Sequence, residues 1–280
     1  MGLQKILGAV IVTIGIFSGT ASALAATSLV FGVHPFAKAE TLERMFAPLL
    51  AYLQRETGST IRFRVAKDYE TAKDALVRGE FQLSFLGPSL YATVLDRHPG
   101  AVQLLGTVAN NGTPTFKAVI IARDGGPVNT FADLKGKRFA FGDRRSALSC
   151  YLPAHMLLEA GIFHTIQYKF LGSHENVAKA VSLGLFDAGG IQPALAAKYV
   201  GKGIKIIAES ESVYEHALVA SATVEPNLVK KLQAAVRSLK DPEVLNAMHP
   251  GMTGFVVTNS SDYDSLRAIM KQVDAKMPQP

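Results

Sequence analysis

The sequence predicts an α/β fold of two lobes, each a mostly parallel sheet flanked by helices. Short β-prone segments alternate with segments whose apolar residues recur every three or four positions, the pattern of βαβ units. Hydrophobic residues make up 48% of the 280 residues and charged residues 19%, which supports a sizeable core and excludes a largely disordered chain. The length exceeds what one such sheet ordinarily uses, so two lobes are expected.

The first 25 residues have the three parts of an export signal. Lys5 supplies a short basic region, residues 6–16 are apolar and uncharged, and residues 23–25 form an A-x-A cleavage site. The alternative is a membrane anchor, but the apolar stretch is shorter than the ~18 residues that a spanning helix needs. We therefore expect residues 1–25 to be removed as a signal peptide, leaving a soluble protein in the periplasm.

Residues 40–56 carry the clearest helical pattern, because their apolar side chains repeat at i, i+3 and i+4 and Gly58 can end the helix. Gly79 and Gly161 can end two further helices in the same way. The predicted helices are 40–56, 69–79, 89–96, 146–160, 175–183, 226–239 and one that begins at 263. The predicted strands, from their alternating or continuous apolar residues, are 28–33, 61–66, 83–86, 119–122, 137–141, 167–170, 187–191, 204–208 and 217–222.

Two crossings between the lobes are expected, around residues 116–118 and 214–219. They divide the chain into lobe 1, made of residues 26–118 and 218–280, and lobe 2, made of residues 119–217. In open α/β sheets ligands bind at the carboxyl ends of strands, beside helix N-termini, so the functional residues are expected in those loops.

The strongest candidate site is the junction where a strand ends at Gly142 and a helix begins near Ser146. Ser146 can cap this helix, and the first N–H groups of a helix have no partner within it. These groups and the helix dipole favour an anion. The N–H groups in question belong to Ala147, Leu148 and Ser149. The alternative is a helix capped by its own serine, with Arg144 and Arg145 in solvent.

Two further junctions carry polar side chains. A sharp Gly87-Pro88 turn follows a buried strand, and Tyr91 of the next helix could direct its hydroxyl at a ligand. His174 at another helix start could donate a hydrogen bond to an anion. The alternatives are an ordinary turn with a half-buried tyrosine, and a histidine that only caps a surface helix.

Several function classes are disfavoured. The nucleophile-elbow, zinc-protease, Walker A and dinucleotide-binding motifs are absent, and the seven histidines and one cysteine show no metal-ligand spacing. We expect no catalytic residue, no metal and no cofactor, so the chain is not expected to be an enzyme. The net charge is +6, but the basic residues are scattered without a stripe, so nucleic acid is not an expected partner.

Four stretches occur in a characteristic order. They are FGVHPFAKAETLERMFAPLLAYLQRETG, VAKDYETAKDALVRGEFQLSFLGPSLYA, FGDRRSALSCYLP and FLGSHENVAKAVSLGLFDAGGIQPAL. Over residues 28–222 the order resembles the phosphate-, phosphite- and phosphonate-binding proteins of bacterial uptake transporters, the PhnD-like group of type 2 periplasmic binding proteins. The resemblance implies two lobes that close by hinge motion on a small oxyanion of phosphonate, phosphite or phosphate type. It also implies delivery to the membrane permease of an ABC transporter.

The resemblance also carries over ligand-binding residues. The family's two head-group tyrosines match Tyr69 and Tyr91, and its histidine before a helix matches His174. At the helix start the family typically has Ser-Thr-Ser followed by Gly, whereas this chain has Ser146, Ala147, Leu148 and Ser149. Only the first hydroxyl of the triplet is kept, while the backbone N–H groups survive the substitutions. Phosphonate specificity therefore does not follow from the resemblance alone.

One alternative concerns Cys150, one turn after Ser146 on the same helix face. It is expected to be a small buried residue, but a thiol near the pocket could instead bind arsenite. The corresponding alternative function is a periplasmic sensor of arsenite or another oxyanion that signals to a histidine kinase. In either function we expect a monomer.

Overall fold

The computed structural model describes residues 27–277, so the predicted signal peptide lies outside the described residues. The strands are β1 (Ser28–Val33), β2 (Thr60–Val65), β3 (Leu83–Leu86), β4 (Val102–Asn110), β5 (Thr115–Phe116), β6 (Val119–Arg123), β7 (Arg138–Phe141), β8 (Gln167–Phe170), β9 (Ala188–Ile191), β10 (Ile204–Glu209), β11 (Val213–Tyr214), β12 (Ala217–Ser221) and β13 (Met252–Val256). The helices are α1 (Ala39–Thr57), α2 (Tyr69–Val77), α3 (Pro88–Arg97), α4 (Leu152–Glu159), α5 (His174–Ser182), α6 (Pro193–Tyr199), α7 (Pro226–Ser238), α8 (Pro242–Met248) and α9 (Asp264–Lys276).

Lobe 1 is built on a six-stranded sheet with the order β13-β4-β12-β3-β1-β2. One face packs against α1, α7 and α8, and its core includes Phe31, Phe46 and Leu232. The other face packs against α2 and α3 around Leu76 and Leu86. Because both faces are covered, all four residues of β3 are buried, including Ser84, whose hydroxyl donates to the Gly32 carbonyl at 2.7 Å.

Lobe 2 is built on a five-stranded sheet with the order β10-β6-β9-β7-β8. Helices α5 and α6 cover one face, where Ile121 and Val177 are fully buried. Helix α4 covers the other face with Phe139 and Leu157. The two-lobed α/β fold predicted from the sequence is therefore confirmed.

The sheets are mixed, so the prediction that they are mostly parallel is wrong. In lobe 1 only the pairs of β1 with β2 and with β3 are parallel. Strand β12 enters from lobe 2 and inserts between β3 and β4, antiparallel to both. In lobe 2, β7 is parallel to β8 and β9, whereas β6 is antiparallel to β9 and β10. Strands β6 and β12, the first strands after the two crossings, therefore run antiparallel to both of their neighbours.

Two chain segments cross between the lobes side by side. Strands β5 and β11 pair antiparallel, with Val213 opposite Phe116 and Tyr214 opposite Thr115, and form a two-stranded ribbon. The predicted crossings fall at this ribbon. Such a short ribbon has few side chains to repack, which suits a hinge.

The C-terminal helix makes a third connection. The predicted division placed residues 218–280 in lobe 1, but α9 contributes Leu266, Ile269 and Val273 to the core of lobe 2. It packs against α4 and also against α3 of lobe 1. The chain therefore returns to lobe 2 at its end. Among the described helices, none is both long and apolar enough to span a bilayer.

Candidate functional site

A cavity of about 370 Å³ lies between the lobes. Lobe 2 contributes the turn at Ser146, together with His174 and residues 192–194. Lobe 1 contributes residues from the β1–α1 loop, α1, α2, β3, the Gly87-Pro88 turn, β4 and the α8–β13 loop, and the hinge ribbon contributes Thr115 and Phe116. The cavity therefore occupies the place predicted for the ligand, at the carboxyl ends of the strands. Within residues 27–277, no His, Cys, Asp and Glu side chains are grouped as metal ligands.

The turn at Ser146 lies close to the end of β7 because Gly142 has no side chain. A Cβ at Gly142 would lie 2.3 Å from Ser149 Oγ, and the Gly142 N–H donates to the Ser149 carbonyl at 3.1 Å. The segment Ala147–Tyr151 is a π-helical turn, which α4 continues. This packing directs Ser146, Ala147 and Leu148 at the cavity.

Two of the three predicted backbone donors are available to a ligand. The N–H groups of Ala147 and Leu148 have no acceptor among the described residues. The Ser149 N–H donates to Ser146 Oγ at 3.2 Å, so the serine caps the turn. The Ser149 hydroxyl packs against Gly142 and makes no hydrogen bond within residues 27–277. The turn therefore offers a ligand two adjacent backbone donors beside the Ser146 hydroxyl.

His174 is held as a neutral donor. The Gln192 N–H donates to its Nδ1 at 3.1 Å, so the ring proton lies on Nε2, 3.3 Å from Ser146 Oγ. Burial, followed by repulsion from His216, lowers the pKa of His174 to about 4. Because Ser146 Oγ accepts hydrogen bonds from both Ser149 and His174, its own proton can be donated into the cavity.

On the lobe 1 side, His34 and Tyr69 face the cavity with their ring centroids 4.4 Å apart. Burial and the neighbouring His216 lower the pKa of His34 to about 3, and burial raises the pKa of Tyr69 above its usual value. Both side chains are therefore neutral near pH 7. The Tyr69 hydroxyl has no partner among the described residues, which leaves it free to donate to a ligand.

A buried acidic group, which the sequence analysis did not identify, borders the same cavity. Glu215 accepts hydrogen bonds from the His216 N–H at 2.8 Å, from His216 Nδ1 at 2.6 Å and from Asn110 Nδ2 at 2.8 Å. Burial alone would raise the pKa of Glu215. The electrostatic interaction and the hydrogen bonds with His216 lower it by more, so the pKa lies below its usual value. His216 stacks on Phe85, with centroids 5.0 Å apart and 12° between the rings. The Glu215 carboxylate therefore stays ionised, with its charge compensated by protein donors.

Tyr91 and Cys150 both lie away from the cavity. For Tyr91 this differs from the prediction, whereas Cys150 is the small buried residue that was expected, not a thiol at the pocket. Tyr91 is buried in lobe 1, where its ring meets Tyr263 edge to face with centroids 4.9 Å apart, and burial raises its pKa to about 12. Cys150 Sγ lies 3.9 Å from Arg144 Nη1 and 4.0 Å from Met277 Sδ, facing α9. Burial raises the pKa of this thiol to about 12. Both side chains contribute to packing, so neither is placed to touch a ligand.

The two arginines before Ser146 are not in solvent. Arg144 is buried, forms an ion pair with Asp274 at 2.7 Å and donates to the Met277 carbonyl. Arg145 pairs with Glu70 of α2 at 3.0 Å, and its carbonyl accepts from Ser89 Oγ at 2.5 Å. Arg145 thus connects the lobes beside the cavity. Among the described residues, no Lys or Arg lines the cavity, so an anion there would be held by neutral donors.

Comparison with known proteins agrees with this architecture. The family profile described as "ABC transporter, phosphonate, periplasmic substrate-binding protein" matches residues 31–263. The phosphate-import protein PhnD of Mycolicibacterium smegmatis is 25% identical over 265 residues, covering 84% of this chain and 82% of that protein. Since the relatives found are transport components, the sensor alternative is not favoured.

Solved structures show the same fold. PhnD1 of Prochlorococcus marinus, in complex with methylphosphonate, superposes with a TM-score of 0.79 at 18% identity, covering 89% of this chain and 98% of that one. The binding protein component of an ABC phosphonate transporter from Pseudomonas aeruginosa gives a TM-score of 0.76 at 17% identity, covering 90% and 89%. With a family match that spans most of its length, the chain belongs to the periplasmic substrate-binding proteins of phosphonate ABC transporters.

Proposed function

We propose that the chain binds a small phosphorus oxyanion, of phosphonate, phosphite or phosphate type, between its lobes and presents it to a membrane permease. The observation that carries the proposal is the group of donors at one end of the cavity. It comprises the N–H groups of Ala147 and Leu148, the Ser146 hydroxyl and the Tyr69 hydroxyl. Tetrahedral anions need several converging donors, and the family match supplies the phosphorus class.

The same geometry supports binding without catalysis. Ser146 and His174 resemble a nucleophile and its base, but the nitrogen that faces the serine carries the proton. The other nitrogen accepts from the Gln192 backbone, so His174 cannot remove a proton from Ser146 in this arrangement. We infer that His174 orients the Ser146 hydroxyl for binding and that the protein is not an enzyme.

We also infer that the two-stranded ribbon serves as the hinge and that the Arg145–Glu70 pair helps hold the lobes together around the ligand. The family is periplasmic, and we propose the same location for the mature chain, with the permease as its membrane partner. The closed form presents a continuous surface across both lobes that a permease can distinguish from the open form.

The test is calorimetric titration of the purified chain with phosphate, phosphite and methylphosphonate, with sulfate as a comparison anion and arsenite, which is uncharged near neutral pH, as a comparison oxoacid. At least one phosphorus anion should bind, and the Ser146→Ala variant should bind it more weakly. Arsenite should not bind through Cys150, because that thiol faces α9. No heat and no thermal stabilisation with any of the three phosphorus anions would refute the proposal.

A further inference from the structure

The cavity is larger than a simple oxyanion requires. Its volume is about 370 Å³, whereas a water-sized group takes up ~30 Å³ in the liquid, so it has room for about a dozen such groups. Phosphate, phosphite and methylphosphonate contain far fewer atoms. Cavities of ~300–1,000 Å³ ordinarily hold organic ligands. A ligand that fits this cavity must therefore carry something besides its anionic group.

Part of the remaining space is lined by apolar side chains of lobe 1. These are Met45 from α1, Val108 from β4, Met248 at the end of α8 and Met252 from β13, together called the methionine wall. Val108, Met248 and Met252 belong to one buried cluster, and Met45 packs against it. Methionine side chains are flexible and polarisable, so they adapt to apolar groups of different shape.

The Ser146 turn and the methionine wall face the cavity from different lobes. The free N–H groups of Ala147 and Leu148 and the Ser146 hydroxyl belong to lobe 2, whereas the methionine wall belongs to lobe 1. A ligand bound between the lobes can therefore place its anionic group between the Ser146 turn and Tyr69, and its other end against the methionine wall.

The carboxylate of Glu215 could attract an ammonium group at the end of the ligand opposite its anionic group, so its charge needs to be considered. Its two oxygens already accept three hydrogen bonds, from Asn110 and twice from His216. The protein therefore compensates this charge without a ligand cation. An ammonium group placed against the methionine wall would lose hydration, and the open acceptor that Asn110 Oδ1 offers at the cavity is a neutral amide oxygen, weaker than a carboxylate.

We infer that the ligand is an organophosphonate whose carbon substituent is apolar and larger than methyl, an inference that rests on the proposed function. The anionic group binds the Ser146 turn, and the substituent packs against the methionine wall when the lobes close. Each further buried carbon adds ~0.8 kcal/mol, so two carbons beyond methyl should raise the affinity roughly 15-fold.

Three phosphonates test the inference by calorimetry on the purified chain. Methylphosphonate has the shortest substituent, while n-propylphosphonate and 2-aminoethylphosphonate have the same length and differ only in a terminal methyl or ammonium group. Propylphosphonate should bind about 15-fold more tightly than methylphosphonate and at least tenfold more tightly than the amine. Equal affinity for methyl and propyl, or tighter binding of the amine, would overturn the inference while leaving the proposed function intact. If none of the three binds while phosphate or phosphite does, the inference alone is overturned; if phosphate and phosphite also fail to bind, both are overturned.

A matched pair of variants locates the substituent. Met45→Gln makes the methionine wall polar at a half-buried position on a helix, and Met156→Gln makes the same change at a half-buried position of α4, outside the cavity. Met45→Gln should reduce the preference for propyl over methyl by at least threefold and leave methylphosphonate affinity nearly unchanged. Met156→Gln should leave the preference as it is. An unchanged preference in Met45→Gln would show that the substituent does not contact this wall.

Discussion

Two buried neutral histidines should make the ligand-free protein lose stability in mild acid. The pKa of His34 falls from 6.5 to about 3, and that of His174 falls from 6.5 to about 4. Below pH 6.5 the unfolded chain takes up two protons that the native protein does not bind until its much lower native pKa values are reached. Unfolding therefore consumes protons in this interval, so stability is full above pH 6.5 and decreases as the pH falls.

The size of the effect follows from the width of the interval. One pKa unit corresponds to ~1.4 kcal/mol, so each histidine should cost about 2 kcal/mol of unfolding free energy between pH 6.5 and pH 5.0. The two together should cost about 4 kcal/mol, a large fraction of the ~5–15 kcal/mol by which domains are ordinarily stable. Asp143, whose pKa is raised by burial, acts in the opposite direction, so single variants are needed to assign the effect.

The assay is urea unfolding followed by circular dichroism at pH 7.5, 6.5, 5.5 and 5.0, because the chain has no tryptophan. His174→Gln keeps a polar side chain beside the Gln192 N–H but does not titrate, so it should remove about half of the loss. His164→Gln, at an exposed position of lobe 2, is the matched control and should keep the whole loss. A stability that is flat from pH 7.5 to 5.0, or a His174→Gln variant with the wild-type pH dependence, would refute the reasoning.

Three further predictions concern the site. Tyr69→Phe should lower phosphonate affinity about tenfold, whereas Tyr91→Phe should leave it unchanged, because of the two only Tyr69 lines the cavity. Equal losses of affinity in the two variants, measured by calorimetry, would contradict the placement of Tyr91. Ser146→Ala should weaken anion binding ~10- to 100-fold, because it removes a hydroxyl that donates to the ligand. It should also lower the unfolding free energy measured in urea by ~1 kcal/mol, because it removes the cap of the turn. Unaltered anion affinity would show that the hydroxyl does not contact the ligand. Gly142→Ala should cost ~1–3 kcal/mol, because its Cβ would collide with Ser149; an unchanged melting temperature would show that the turn adapts freely.

The fold was largely predictable because its helices and central strands are strongly patterned. Helix α1 is an example, since its apolar face and the left-handed Gly58 at its end agree with the prediction from spacing. Strand β4 was missed, although it joins β12 and β13 in the lobe 1 sheet. Glycine and threonine interrupt its apolar residues, and only pairing with two antiparallel neighbours makes it a strand. Helices α6 and α8 were missed because seven residues are too few to show a helical period.

The site was predictable where it depends on one local segment. The turn at Ser146 could be recognised because a glycine, a capping residue and the start of a helix are adjacent in the sequence. Glu215 could not be recognised, because its partner Asn110 is 105 residues away and approaches it only when the two crossings pair. Tyr91 shows a different limit. The start of helix α3 agrees with the prediction from the sequence, but the direction of the Tyr91 side chain depends on packing against Tyr263, far along the chain.

The position of α9 has a consequence for how the polypeptide acquires its structure. The interior of lobe 2 includes Leu266, Ile269, Val273 and Met277, which follow residues 119–217 only after the chain has passed through β12, α7, α8 and β13 of lobe 1. A nascent chain that has not yet reached residue 266 lacks these residues, so residues 119–217 have an apolar surface without its cover. Excised residues 119–217 should likewise fail to form an autonomous unit, whereas a circular permutant that joins α9 directly to these residues would keep the cover within one contiguous segment.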